Sequence, residues 1–141
     1  MTGETGETSE RSELNSRCQG IEEAYEFMLA YAAQGLESDQ GSGTGARLRE
    51  FLQQADTALT GLADLFREIV GRETLQPAEK YHAFIAVLAR DASDAQAAIQ
   101  LVLAQPSISS QLVDNLNASI HLRALLTDLF LIDEILKTSP S

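Results

Sequence analysis

Apolar residues recur at three- and four-residue intervals along most of the chain, and no stretch alternates apolar and polar side chains as a half-buried strand would. The densest run is 120–136, IHLRALLTDLFLIDEIL, where eleven of seventeen residues are apolar. Leu122, Leu125, Leu126, Leu129, Ile132 and Leu136 keep to one helical face. Ala124, Phe130, Leu131 and Ile135 widen that face to most of the circumference. A helix apolar nearly all round is one that other helices surround. Arg123, Asp128, Asp133 and Glu134 interrupt the run, which separates it from a membrane span of about 18 or more apolar residues with few charges. The pattern predicts the central helix of a small bundle.

Three more helices follow from the same periodicity. In the first, 19–34, the stripe is Ile21, Ala24, Tyr25, Met28, Tyr31 and Ala32. Glu22, Glu23 and Glu26 suit its first turns, where carboxylates complement the positive end of the helix dipole. Phe27 and Leu29 lie off the stripe and point to a second contact surface, such as a dimer interface. Residues 37–45, ESDQGSGTG, read as a flexible linker. The second helix, 46–72, carries the cleanest stripe, from Leu48 through Leu52, Ala55, Leu59, Leu62 and Phe66 to Ile69. Gly61 in its middle costs about 1 kcal/mol relative to alanine. The third, 77–105, opens with Pro77 and Glu79 in its first turn and buries Tyr81, Phe84, Ile85, Leu88, Ala92, Ala95, Ile99 and Val102. A break after Leu88 would be capped by Asp91. The fourth runs over 109–137, with a tail that frays. The expected fold is all-α, an antiparallel four-helix bundle, with room for one helix to be broken into two.

Composition narrows this further. A chain of 141 residues suits one domain and buries a core without disulfide or metal staples. Its net charge is −11, and 1–40 alone hold nine acidic against two basic residues. Such a balance opposes nucleic acid and anionic membrane surfaces and permits a basic partner. Residues 1–18, with a doubled GET triplet and little to bury, read as a disordered acidic leader ahead of a domain over 19–138. They have neither the basic nor the apolar region of a secretory signal. Cys18 is the lone cysteine, so no disulfide framework exists, which suits a cytoplasmic location.

Two patterns touch on chemistry. Glu79-Lys80-Tyr81-His82 places a carboxylate and an imidazole on one helix face, and resembles the Glu-x-x-His motif with which ferritin-like bundles hold a di-iron site. The resemblance implies iron or another divalent metal, with Glu22, Glu23 or Glu26 as bridging ligands. A second motif is missing, because position 118, three before His121, is alanine; a symmetric dimer would supply one. Ser119-Ile-His121-Leu-Arg123 bears comparison with histidine phosphotransfer domains, four-helix bundles with an exposed histidine followed by a basic residue, but lacks that family's small residues. Nucleophile-elbow and phosphate-loop motifs are absent from the sequence.

An acidic helical domain of this kind reads as an accessory, adaptor or chaperone-like protein without a catalytic role or cofactor. Its general composition is similar to that of small acidic helical chaperones of secretion and enzyme assembly. Tyr25, Phe27, Met28 and Tyr31 of the first helix are the expected partner-binding anchors, and a homodimer would complete a larger bundle. The alternative is a metal-binding, di-iron-like protein using Glu79 and His82.

Overall fold

The computed structural model describes residues 2–138, with side chains from Ser9 onward; Met1 and the end of the tail, 139–141, lie outside the described residues. The described chain is all-helical, with no strand: α1 (Thr2–Ala33), α2 (Gly43–Leu59), α3 (Leu62–Arg72), α4 (Ala78–Leu103), α5 (Ser110–Ala118) and α6 (Ile120–Thr138). α1 packs on α2, α3 and α5, α4 packs on α2, α3 and α6, and α5 touches both α4 and α6. Tyr31, Leu48, Leu52, Phe66, Ile85, Leu88, Ile99, Leu125 and Leu129 meet in one core. Each such side chain, fully buried, contributes about 1.5–3 kcal/mol.

Two of the expected long helices are broken. Gly61 sits between α2 and α3 at φ 74°, a left-handed conformation that glycine adopts without steric cost. The apolar stripe keeps its phase across this turn, with Leu59 and Leu62 both buried, so periodicity hides the break. Ser119 is extended between α5 and α6, and its hydroxyl accepts from the Leu122 N–H at 3.3 Å. α4, by contrast, is continuous through Asp91.

The segment expected to be a disordered leader is helical, and from Ser9 onward it is packed. Leu14, seven residues before Ile21, prolongs the stripe of α1 into the core and is 2% exposed. Arg11 donates to the buried Glu73 carboxylate at 2.8 Å and to the Leu136 carbonyl at 2.9 Å, joining α1 to the ends of α3 and α6. Arg72 pairs with Glu10 at 2.8 Å. Two ion pairs and one leucine therefore order a stretch whose composition alone argues for disorder.

The glycine-rich 37–45 is ordered as well. Asp39 is buried; its Oδ1 accepts from the Ile108 N–H at 2.7 Å and its Oδ2 from Arg49 Nε at 2.6 Å. Arg49 also donates to the carbonyls of Leu103 (3.1 Å) and Gln105 (2.8 Å), at the negative end of α4. Ser42 caps α2 through the Gly45 N–H at 3.0 Å. Burial raises the Asp39 pKa, but the hydrogen bonds from Arg49 and Ile108 and the Arg49 charge outweigh it and hold the carboxyl below its ordinary value. The resulting stability is present above the ordinary carboxylate range and is lost as pH falls through the lowered value.

Gly45, in the first turn of α2, lies where a Cβ would overlap the Asp39 carbonyl, whereas a Cβ at Gly43 meets nothing. Gly45→Ala is expected to lower unfolding stability by about 1–3 kcal/mol in urea titration. Gly43→Ala should be neutral or gain up to ~1 kcal/mol. Equal effects of the two would contradict this placement.

Candidate functional site

The expected anchors on α1 are mostly occupied with holding the fold. Tyr31 is fully buried, and its hydroxyl donates to the Ile108 carbonyl at 2.7 Å. Met28 is equally buried, so neither is available to a partner. Tyr25 and Phe27 are half-buried against the core. The Phe27 ring stacks on Phe51 of α2, centroids 4.7 Å apart, with the Arg47 guanidinium 5.3 Å from the Phe27 centroid. Phe27 thus helps to close the α1–α2 seam. Of the four expected anchors, Met28 and Tyr31 therefore belong to the core, while Tyr25 and Phe27 keep part of their surface exposed.

The chemistry-bearing residues do not converge. Glu79 and His82 are both exposed on the first turns of α4. Among the described residues no group of three or more His, Cys, Asp or Glu side chains is placed to hold a metal ion, so Glu22, Glu23 and Glu26 add nothing to that pair. His121 is exposed at the start of α6. The Cys18 thiol is pushed up to about 12 by burial and then by the charges of Glu22 and Asp133, so it stays protonated at neutral pH. A broad, polar, open depression between α1 and α2, around Arg17, Gly20 and Gln54, has its one guanidinium engaged with Glu13 at 2.9 Å and with the Thr60 carbonyl.

The surface with unusual character is α6. The inner side of the helix, Leu122, Leu125, Leu129, Ile132 and Leu136, is buried as expected. Among the described residues no helix covers its outer side: Ile120 is 75% exposed, Phe130 59%, Leu131 48% and Ile135 44%. Ile135 also borders a small apolar dimple of about 150 Å³ between α4 and α6, whose wall includes Phe66, Tyr81, Phe84 and Ile132. α6 is therefore an edge helix with two apolar sides, and not the surrounded centre that its sequence suggests.

At the border of this face Asp128, 6% exposed, meets Asp91 of α4 carboxyl to carboxyl. Asp128 Oδ2 is buried with no hydrogen-bond donor among the described residues. Burial first, then the hydrogen bond and charge of Asp91, push the Asp128 pKa up to about 7. Protonation of Asp128 would turn the repulsion between the two carboxyl groups into a hydrogen bond.

Comparison of the chain with protein-family models, with curated proteins and with solved structures yields no match. Among the described residues no helix is long and apolar enough to cross a membrane.

Asp128 provides a pH test of the α4–α6 seam. Its pKa is raised from the ordinary 3.8 to about 7, so between these values the folded state binds more protons than the unfolded one. Its contribution is full below the ordinary value and is lost as pH rises through about 7. Asp128→Asn supplies an amide donor to Asp91 at every pH. In urea unfolding the variant is expected to gain on the wild type progressively between about pH 4 and about pH 7, and to hold that gain above it. A pH-independent difference would refute the shared proton.

Proposed function

We propose that this is a small acidic helical accessory protein that works by binding protein, without a catalytic step, and that its docking surface is the outward face of α6. The scaffold is read as a four-helix-bundle type, with α2 and α3 standing for one broken helix and α5 and α6 for another. One observation carries the functional reading: of the six large apolar side chains exposed among the described residues, four (Ile120, Phe130, Leu131 and Ile135) belong to α6. A soluble monomer scatters such residues singly, and their concentration on one helix marks an interaction site. The helix is a preformed platform, so docking on it costs little conformational entropy. The protonated Cys18 thiol and the separated histidines support a binding role over catalysis. An adaptor or chaperone-like role in the cytoplasm fits an acidic surface that repels nucleic acid and anionic membrane.

Leu131→Asp tests the surface, because the side chain is half exposed and its loss leaves the core intact. The variant should keep the wild-type helical signal while weakening protein binding about tenfold or more in a titration against whatever protein co-purifies with the chain. Leu101→Asp, at an exposed apolar residue on α4, should leave binding unchanged. Equal loss from both, or from neither, would remove α6 from the reading.

A further inference from the structure

The outward face of α6 is self-complementary, and we infer that the protein seated on it is a second copy of this chain, packed antiparallel about a two-fold axis near the bond between Thr127 and Asp128. This rests on reading α6 as the docking surface and names its occupant.

At 100° per residue, Ile120, Leu131, Ala124 and Ile135 fall within about 60° of the helix circumference and extend along roughly 22 Å of its length. Their spacing is a palindrome. Ile120 and Ile135 are equidistant from the Thr127–Asp128 bond, and so are Ala124 and Leu131. Antiparallel apposition therefore brings Ile120 against the partner's Ile135, and Ala124 against the partner's Leu131. The second pairing sets a small residue opposite a large one, as interdigitating helices require. A two-fold interface demands this reciprocity, since each contact between unlike residues must occur twice. An unrelated partner would place no such condition on the face.

Charge selects the same arrangement. Arg123 and Glu134, both exposed, lie on one flank of the stripe at opposite ends. In an antiparallel helix pair a flank faces its own copy. Arg123 then meets the partner's Glu134, and Glu134 meets the partner's Arg123. Parallel apposition would turn this flank towards the partner's opposite flank, and the Arg123–Glu134 pairing would be lost. The net charge of −11 does not forbid the contact, because the exposed charges of α6 are Arg123, Asp133, Glu134 and Lys137, two of each sign. Phe130 lies on the same flank and closes it. The covered patch explains how an acidic, otherwise polar surface tolerates four large apolar side chains on one helix.

Sedimentation equilibrium of the full chain over a wide concentration range tests the inference. The wild type should be dimeric, and Leu131→Asp monomeric with an unchanged helical signal and a melting temperature that no longer rises with protein concentration. Arg123→Glu and Glu134→Arg should each weaken the dimer roughly tenfold, because symmetry makes every reversal count twice. The double variant R123E/E134R should restore the wild-type constant, which no merely structural effect would do. A wild type that stays monomeric at the highest concentration overturns the second-copy inference. If Leu131→Asp still weakens binding of a different protein, the docking surface itself survives. A dimer that ignores Leu131→Asp and both reversals overturns the inference by locating self-association elsewhere. If binding to every other protein is also unaffected, the docking reading falls with it.

Discussion

The buried Asp39 carboxylate is the contact on which the arrangement of helices depends. Its two oxygens hold Arg49 from the second turn of α2 and the Ile108 N–H from the loop before α5. Arg49 passes the constraint to the last carbonyls of α4. A few residues away, Leu36 donates to Ser110 Oγ at 2.9 Å and accepts from the Ser110 N–H at 2.8 Å, while Ser110 Oγ donates to the Tyr31 carbonyl at 2.6 Å. Two loops that would otherwise be independent are thus fastened at the start of α5. Removing Arg49 would leave the buried Asp39 charge without compensation, at a cost below the ~3–5 kcal/mol of a fully buried pair because the Arg49 side chain is 31% exposed. The direction of α5 follows from this knot, and the Ser119 turn then sets α6. The face that α6 turns outward is the one left when its buried inner side packs on α4 and α5.

Helical periodicity is sufficient to find the helical segments, because amphipathic stripes report which side of each helix has a partner. It does not report breaks that preserve phase. Leu59 and Leu62 stand three apart on either side of Gly61, as they would in an unbroken helix. Composition misleads where few residues carry the order. The leader is polar almost throughout, but Leu14 continues the spacing of Ile21 and was a usable signal. Arg11 was not, because its acceptors, Glu73 and the Leu136 carbonyl, are remote in sequence. The glycines of 37–45 do mark a turn. What orders it is a carboxylate whose donor at Ile108 is visible only in three dimensions.

The candidate site was legible as residues but not as a surface. Ile120, Leu131 and Ile135 are plainly apolar in the sequence, and an apolar residue reads as buried unless the neighbours are known. Met28 and Tyr31 show the opposite error. They share a stripe with Ile21 and Ala24, and that stripe already argued for the core. A residue can serve as an anchor only if the periodicity that buries its neighbours leaves it out. By that criterion Phe27 was the better candidate, and the structure gives it to Phe51 and Arg47 instead. Glu79 and His82 satisfy a spacing rule along one helix, but a metal centre needs convergence between helices, which no single segment encodes.

The distribution of charge and apolar surface is consistent with one physical compromise. An apolar face as concentrated as that of α6 promotes non-specific association, and a strong net charge of one sign opposes it. Repulsion between like-charged chains acts over roughly 8 Å at physiological ionic strength, whereas burial of apolar surface acts only on contact. An acidic chain with a locally neutral apolar stripe therefore discourages every approach except one in which the stripe is well covered. The Asp91–Asp128 pair stands at the edge of that stripe, and a proton held there keeps a second negative charge away from it. On the proposed docking reading, the net charge of the body and the balanced charges of α6 serve the same end, the selection of one apolar contact from many.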